Sequence, residues 1–170
     1  DIASLFSAVG KGTDSLITFN SATSNTKAGS YAVNVTQIAT QGNTVGNSAA
    51  NTTITDTNKA LDVTVNGVSA SITLNAGIYT AQTLAAELQA KINGASPFSN
   101  AGITVAVTQN SGVLSVTSSS YGSKSSVTIG GAGVVDLLGA APTQTAGVDV
   151  AGSIGGGTST GSGQVLSNAQ

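Results

Sequence analysis

Two alternating runs, Leu61 to Val65 and Val68 to Leu74, flank the dipeptide Asn66-Gly67. Alternation of apolar and polar residues marks a strand with one buried face. Both central residues of a type I′ turn need positive φ, which Asn and Gly tolerate best. The segment is therefore predicted to be a two-residue β-hairpin. Leu61, Val63 and Val65 would share a face with Val68, Ala70, Ile72 and Leu74.

Cover for that face follows in the chain. Thr80 is a suitable helix N-cap, and Ala81 to Asn93 is rich in good helix formers. Leu84, Leu88 and Ile92 recur every four residues and form one apolar stripe to lay on the hairpin. Glu87 and Lys91 then make an i, i+4 pair on the outside, and Gly94 supplies the stop. A helix over about 80–93 is the one long helix expected.

Strands resume after it. Ile103 to Val107 and Val113 to Thr117 are joined by Asn110-Ser111-Gly112, and Ser126 to Ile129 adds another. Val134 to Leu138 reads as a helical turn closed by Gly139. Upstream, Tyr31, Val33 and Val35 alternate with Ala32, Asn34 and Thr36, which predicts a half-buried strand. Gln41 to Thr57 is polar and reads as a long loop. Ile2 to Val9 reads as one or two helical turns, with Leu5, Phe6 and Val9 on one face. Val148-Asp149-Val150 begins a late strand, and Gly155 to Gly163 reads as a wide hairpin or flexible loop.

The expected fold class is α+β, a mainly antiparallel β-sheet with one covering helix, in two small domains. Residues 59–140 would form a hairpin-helix-hairpin insertion. Residues 1–58 and 141–170 would form a discontinuous β-rich domain around it. The chain opens on Asp1, with no cationic segment and apolar stretch behind it, and reads as a piece of a longer protein.

Composition removes several functions. Among 170 residues there is no Cys, His, Met or Trp, 7% are charged, and the net charge is −2. About 25% charged is usual, so Ser, Thr, Asn and Gly must carry solubility. Lys11, Lys27, Lys59, Lys91 and Lys124 are scattered, which argues against a nucleic-acid partner. No apolar run nears the ~20 residues of a membrane span, so no membrane insertion is expected. Without Cys there are no disulfides or thiolate metal sites. Without His, nucleophilic triads lack their usual base.

The remaining chemical motifs are weak. Gly131-Ala132-Gly133 lacks the third glycine and the βαβ unit of a dinucleotide site, and Gly155 to Gly163 lacks a P-loop ending. Ser123-Lys124-Ser125 reads as an exposed loop lysine with solubilising serines. Asp1, Asp14, Asp56, Asp62, Glu87, Asp136 and Asp149 are too dispersed for a paired-carboxylate or calcium site. Asp62 and Asp149 read as polar positions on solvent-facing strands. No catalytic, cofactor-binding or metal residue is assigned, no cofactor is expected, and the chain is not expected to be an enzyme.

Three segments carry a resemblance. Ala28-Gly29-Ser30-Tyr31-Ala32-Val33-Asn34-Val35-Thr36-Gln37-Ile38-Ala39 resembles the stretch closing the N-terminal conserved region of the bacterial flagellar filament-capping proteins, the second hook-associated protein family. Leu61 to about Ser119 resembles the flagellin hook motif, a strand and Leu-rich helix ending in Ile-Asn, here Ile92-Asn93, before a strand pair. Ala146-Gly147-Val148-Asp149-Val150-Ala151-Gly152-Ser153-Ile154, with Thr160 to Leu166, is similar to a later segment of the capping proteins.

The resemblance implies a secreted, extracellular structural protein at the distal tip of the flagellum. It implies self-association in a ring, mostly through parts outside this chain, and flagellin as a partner whose polymerisation the cap promotes. In some family members the exposed surface also touches host mucin or surface glycans. The alternatives are the variable outer domain of a flagellin subunit and a mucin- or glycan-binding adhesin domain.

Overall fold

The computed structural model describes residues 10–168, so the helical reading of residues 2–9 lies outside it. Along the chain run β1 (Val33–Gln37), β2 (Gln41–Val45), β3 (Thr53–Ile54), β4 (Ala60–Val65), β5 (Val68–Thr73) and β6 (Gly77–Ile78). Two helices follow, α1 (Ala81–Asn93) and α2 (Ser96–Asn100). Next come β7 (Val105–Asn110), β8 (Val113–Tyr121), β9 (Val127–Gly130), α3 (Val134–Leu138) and β10 (Thr143–Thr145). Two small hairpins finish it, β11 (Ala151–Ile154) with β12 (Gly157–Thr158) and β13 (Thr160–Ser162) with β14 (Val165–Ser167). The strand pairings are antiparallel. The fold is α+β, as the sequence predicts.

The Asn66-Gly67 turn forms with φ of 52° and 83° at its two residues. Its register sets Leu61 opposite Ile72, Val63 opposite Ala70 and Val65 opposite Val68. β9 joins the other side of β4, giving the order β5-β4-β9. A second sheet runs β10-β2-β8-β7. β7 and β8 turn through Ser111 and Gly112, again both at positive φ.

Helix α1 takes the predicted place in the chain, and its cap is reciprocal. Thr80 Oγ1 accepts from the Thr83 amide at 3.1 Å, and Thr83 Oγ1 accepts from the Thr80 amide at 2.9 Å, so two donors free at a helix start are both used. Leu84, Leu88 and Ile92 are fully buried, while Lys91 Nζ and Glu87 Oε1 stand 3.9 Å apart at the surface. Gly94 has an ordinary right-handed φ of −83°, so it ends the helix without the left-handed turn expected of a C-terminal glycine.

The helix does not rest mainly on the β4–β5 hairpin. It runs along β7, with contacts to β5 and β8. The reason is a pair of amide side chains. Asn93 donates to the Val105 carbonyl at 3.0 Å and accepts from the Val105 amide at 2.8 Å, the two bonds a neighbouring strand would make. Gln89 Oε1 accepts from the Val107 amide at 2.9 Å. The outer edge of β7 is thereby closed by the helix, which removes an open pairing edge. Beneath it Val105, Val107, Leu114 and Val116 join the helical leucines. The short α2, unpredicted, plugs Phe98 into the same core.

Polarity made Gln41 to Thr57 look like loop, but it contains β2 and β3. β2 lies between β8 and β10, inside the larger sheet. Thr44 is buried there, and its hydroxyl donates to the Val127 carbonyl. Gly42 donates to buried Ser125 Oγ at 2.8 Å. A buried polar group is tolerated when its hydrogen bonds are made, and among the described residues no buried side-chain N or O lacks a partner. β2 therefore pairs with the middle of the chain, although it lies outside residues 59–140.

The strand expected around Tyr31 to Thr36 forms over Val33–Gln37, and both of its faces are partly exposed. Val33 and Val35 are 38% and 45% exposed, so the half-buried reading does not hold. Among the described residues β1 pairs with β11, in the order β1-β11-β12, and its five residues are exposed. Gly155 to Gly163 is two tight turns, not a wide loop. Gly155 and Gly156 turn β11 into β12, and Gly163 begins the turn of β13–β14.

Candidate interaction surface

Among the described residues the carboxylates stay apart from one another. Asp62 accepts from Ser71 Oγ at 2.7 Å on the open face of β4–β5, a solvent-facing strand position as predicted. Asp56 pairs with Lys59 at 2.5 Å, and that hydrogen bond and charge hold its carboxyl below the usual range. Asp136 accepts from buried Asn58 at 2.6 Å, tying α3 to the turn before β4. Among the described residues no three His, Cys, Asp or Glu side chains come together as metal ligands would. No helix among them is long and apolar enough to cross a membrane.

The glycine motifs are packing devices. A Cβ on Gly133 would strike the Asn58 carbonyl, and one on Gly131, at φ 93°, would approach the Asp62 amide to 2.9 Å. Both glycines let the chain pass against β4. Ser123-Lys124-Ser125 is also structural, since Ser125 is buried against β2.

Asp149 departs from its expected role. It precedes β11 and stands at the seam where β1, β11 and the last hairpin meet the larger sheet. Its Oδ1 accepts from the Gly163 amide at 2.6 Å and the Ser123 amide at 3.0 Å. Hydrogen bonds from the Ser123 side chain, then the Gly163 and Ser123 amides, hold its carboxyl below the usual carboxylate range. Around it Thr40 donates to the Val148 carbonyl, Gly122 to the Thr40 carbonyl, and Gly147 to the Ser125 carbonyl, each at 2.9 Å. Gln37 Nε2 reaches the Asp149 carbonyl at 2.8 Å. A Cβ on Gly147 would strike the Gly122 and Thr40 carbonyls, so this close packing requires glycine.

The surface best suited to recognition lies beyond that seam. Tyr31, Val33, Val35 and Ile38 are exposed along β1 and its end, with Val148, Val165 and Tyr121 exposed on neighbouring segments. No charged residue occurs from Ala28 to Thr55. Among the described residues one edge of β1 has no strand partner, and with apolar side chains beside it this is the combination by which strands recruit further chain. The period-2 pattern located these residues. It could not show that they stay uncovered, because alternation says which residues share a face and nothing about what packs on it.

No protein-family model matches the chain, and no curated protein sequence matches it. Solved structures do. The D2-D3 domains of the flagellar cap protein FliD from Serratia marcescens superpose with a TM-score of 0.54 at 20% identity, covering 84% of this chain and 81% of that one. A second crystal form of the same domains gives a TM-score of 0.54 at 21% identity, covering 79% and 77%. The chain therefore has the fold of flagellar cap D2-D3 domains.

Proposed function

We propose that this chain is the exposed middle part of a flagellar filament cap, a structural element that works by contact and has no catalytic role. One observation carries the reading: the likeness to cap D2-D3 domains spans more than three quarters of both chains. The three family-like sequence segments support it independently. Two of them, around β1 and β11, pair with each other across more than a hundred intervening residues.

In this reading the chain sits outside the cell at the filament tip. It belongs to a ring of copies and stands over the place where flagellin is added and its polymerisation promoted. The exposed apolar strand and the Ser/Thr-rich loops are the surfaces available for neighbouring copies, flagellin or host glycans. In this reading the chain divides into a middle module, bounded by β2, which pairs with β8 on one side and β10 on the other, and an outer β region of β1 and β11 to β14. The proposed boundaries lie near residues 40 and 147, where the sequence reading has 58 and 141.

Immunogold electron microscopy on cells that make the protein tests the proposal. Antibodies raised against this chain should label the distal tip of each flagellum. Labelling along the whole filament would instead make it a flagellin outer domain. Labelling of the cell body alone would favour an adhesin.

A further inference from the structure

We propose that Asp149 is a carboxylate clasp: ionised, it holds the β13–β14 hairpin against the β8–β9 loop, and protonated it releases that hairpin while the middle core stays folded. The geometry is specific. One oxygen receives the Gly163 amide at 2.6 Å and the Ser123 amide at 3.0 Å, from two turns forty residues apart in sequence. Gly163 has φ of 57° and Gly122 of 99°, and a Cβ on Gly122 would collide with Asp149 Oδ1. Both turns are thus shaped around the carboxylate. Besides the clasp the hairpin is held by backbone and polar contacts, the Val150 amide donating to the Gly163 carbonyl at 2.9 Å and Asn168 Nδ2 to the Ile154 carbonyl at 3.0 Å. β14 shows no buried residue, and among the described residues the main core cluster has no member beyond Leu138.

The surrounding charges leave the carboxylate as the controlling group. Lys124, in the same loop as Ser123, is the one charged side chain acting on it among the described residues. Gln37 from β1 and Gly163 and Gln164 from the hairpin turn bring no charge. Tyr121, at the end of β8, borders the turn through its backbone carbonyl, which carries no charge.

Hydrogen bonds to an ionised acceptor are roughly twice as strong as neutral ones, so protonation weakens both contacts together. The sign follows from linkage. A carboxyl held below its ordinary value contributes fully above that value, about 3.9 for Asp, and loses its contribution as pH falls through the lowered one. The clasp should therefore stay shut at neutral pH and open only in strong acid.

The test is an amide NMR titration of the chain from about pH 6 to about pH 2, with hydrogen exchange corrected for intrinsic rates. The Ser123 and Gly163 amides should shift together through one transition, and exchange in residues 160–167 should rise at least ~10-fold while Leu88 and Val107 stay protected. Asp149→Asn keeps an acceptor oxygen but cannot titrate. As a neutral acceptor it should abolish the transition and leave the hairpin loosened to the same extent at every pH, much as the protonated carboxyl does. Asp149→Ala should loosen the hairpin at every pH. An unchanged acid transition in Asp149→Asn would overturn the proposal, as would simultaneous opening of hairpin and core in the unmodified chain.

Discussion

The middle module and the outer β region are built from similar sequence and held by different forces. Among the described residues the main core cluster lies between Ile54 and Leu138, where Leu84, Leu88, Ile92, Phe98 and Leu114 are wholly buried, and outside it only Ala39 and Val150 are buried hydrophobics. The outer region also carries alternating valines, yet Val33, Val35 and Val165 are exposed. Its order comes from backbone pairing, glycines that permit close contact, and the Asp149 carboxylate. The lesson is that alternating valines make a strand, but only a second layer makes them a core.

The sharpest way to break this contrast is to cut into the core. Leu88→Ala should cost roughly 2–5 kcal/mol, because the helix packed along β7 cannot fully collapse onto the cavity. Urea denaturation would show a lower midpoint with an unchanged slope. A cost below about 1 kcal/mol would mean that the module is not held by this layer.

The seam comes next. Gly147→Ala would drive a methyl group into the Thr40 and Gly122 carbonyls. Overpacking of this kind costs about 1–3 kcal/mol. Proteolysis should then cut first within residues 148–167, while the fragment holding α1 persists. Uniform digestion of the whole chain would show that the two regions fold as one.

A smaller effect is expected at the helix cap. Thr80→Ala removes one side of the Thr80–Thr83 exchange and should cost about 1 kcal/mol. Hydrogen exchange would report the loss in the first turn of α1, leaving the outer hairpins unaffected.

Least of all should follow from Val35→Ala, a change within about 0.5 kcal/mol, since the side chain is already in solvent. Thermal unfolding of the dilute chain would measure it. A larger loss would reveal that Val35 is covered in solution. If that loss also grew with protein concentration, the cover would be another copy.

Residues that act locally made much of this molecule legible from sequence. Asn66-Gly67 can turn a hairpin in few ways. The spacing of Leu84, Leu88 and Ile92 defines a face wherever the helix is placed. The dispersed charges and the absence of His and Cys were also readable there, and among the described residues no three His, Cys, Asp or Glu side chains come together.

What sequence alone could not decide was pairing at a distance. β2 is polar and became a central strand because Ser125 and Val127, more than eighty residues away, satisfy Gly42 and Thr44. Asp149 became a clasp because Ser123 and Gly163 converge on it. Asn93 became an edge cover because β7 passes within reach. In each case the residue's own chemistry admits several partners, and only the packed arrangement of the other strands selects one. Local φ preferences and periodicity are properties of a few neighbouring residues. A buried hydrogen bond between distant segments belongs to the whole fold.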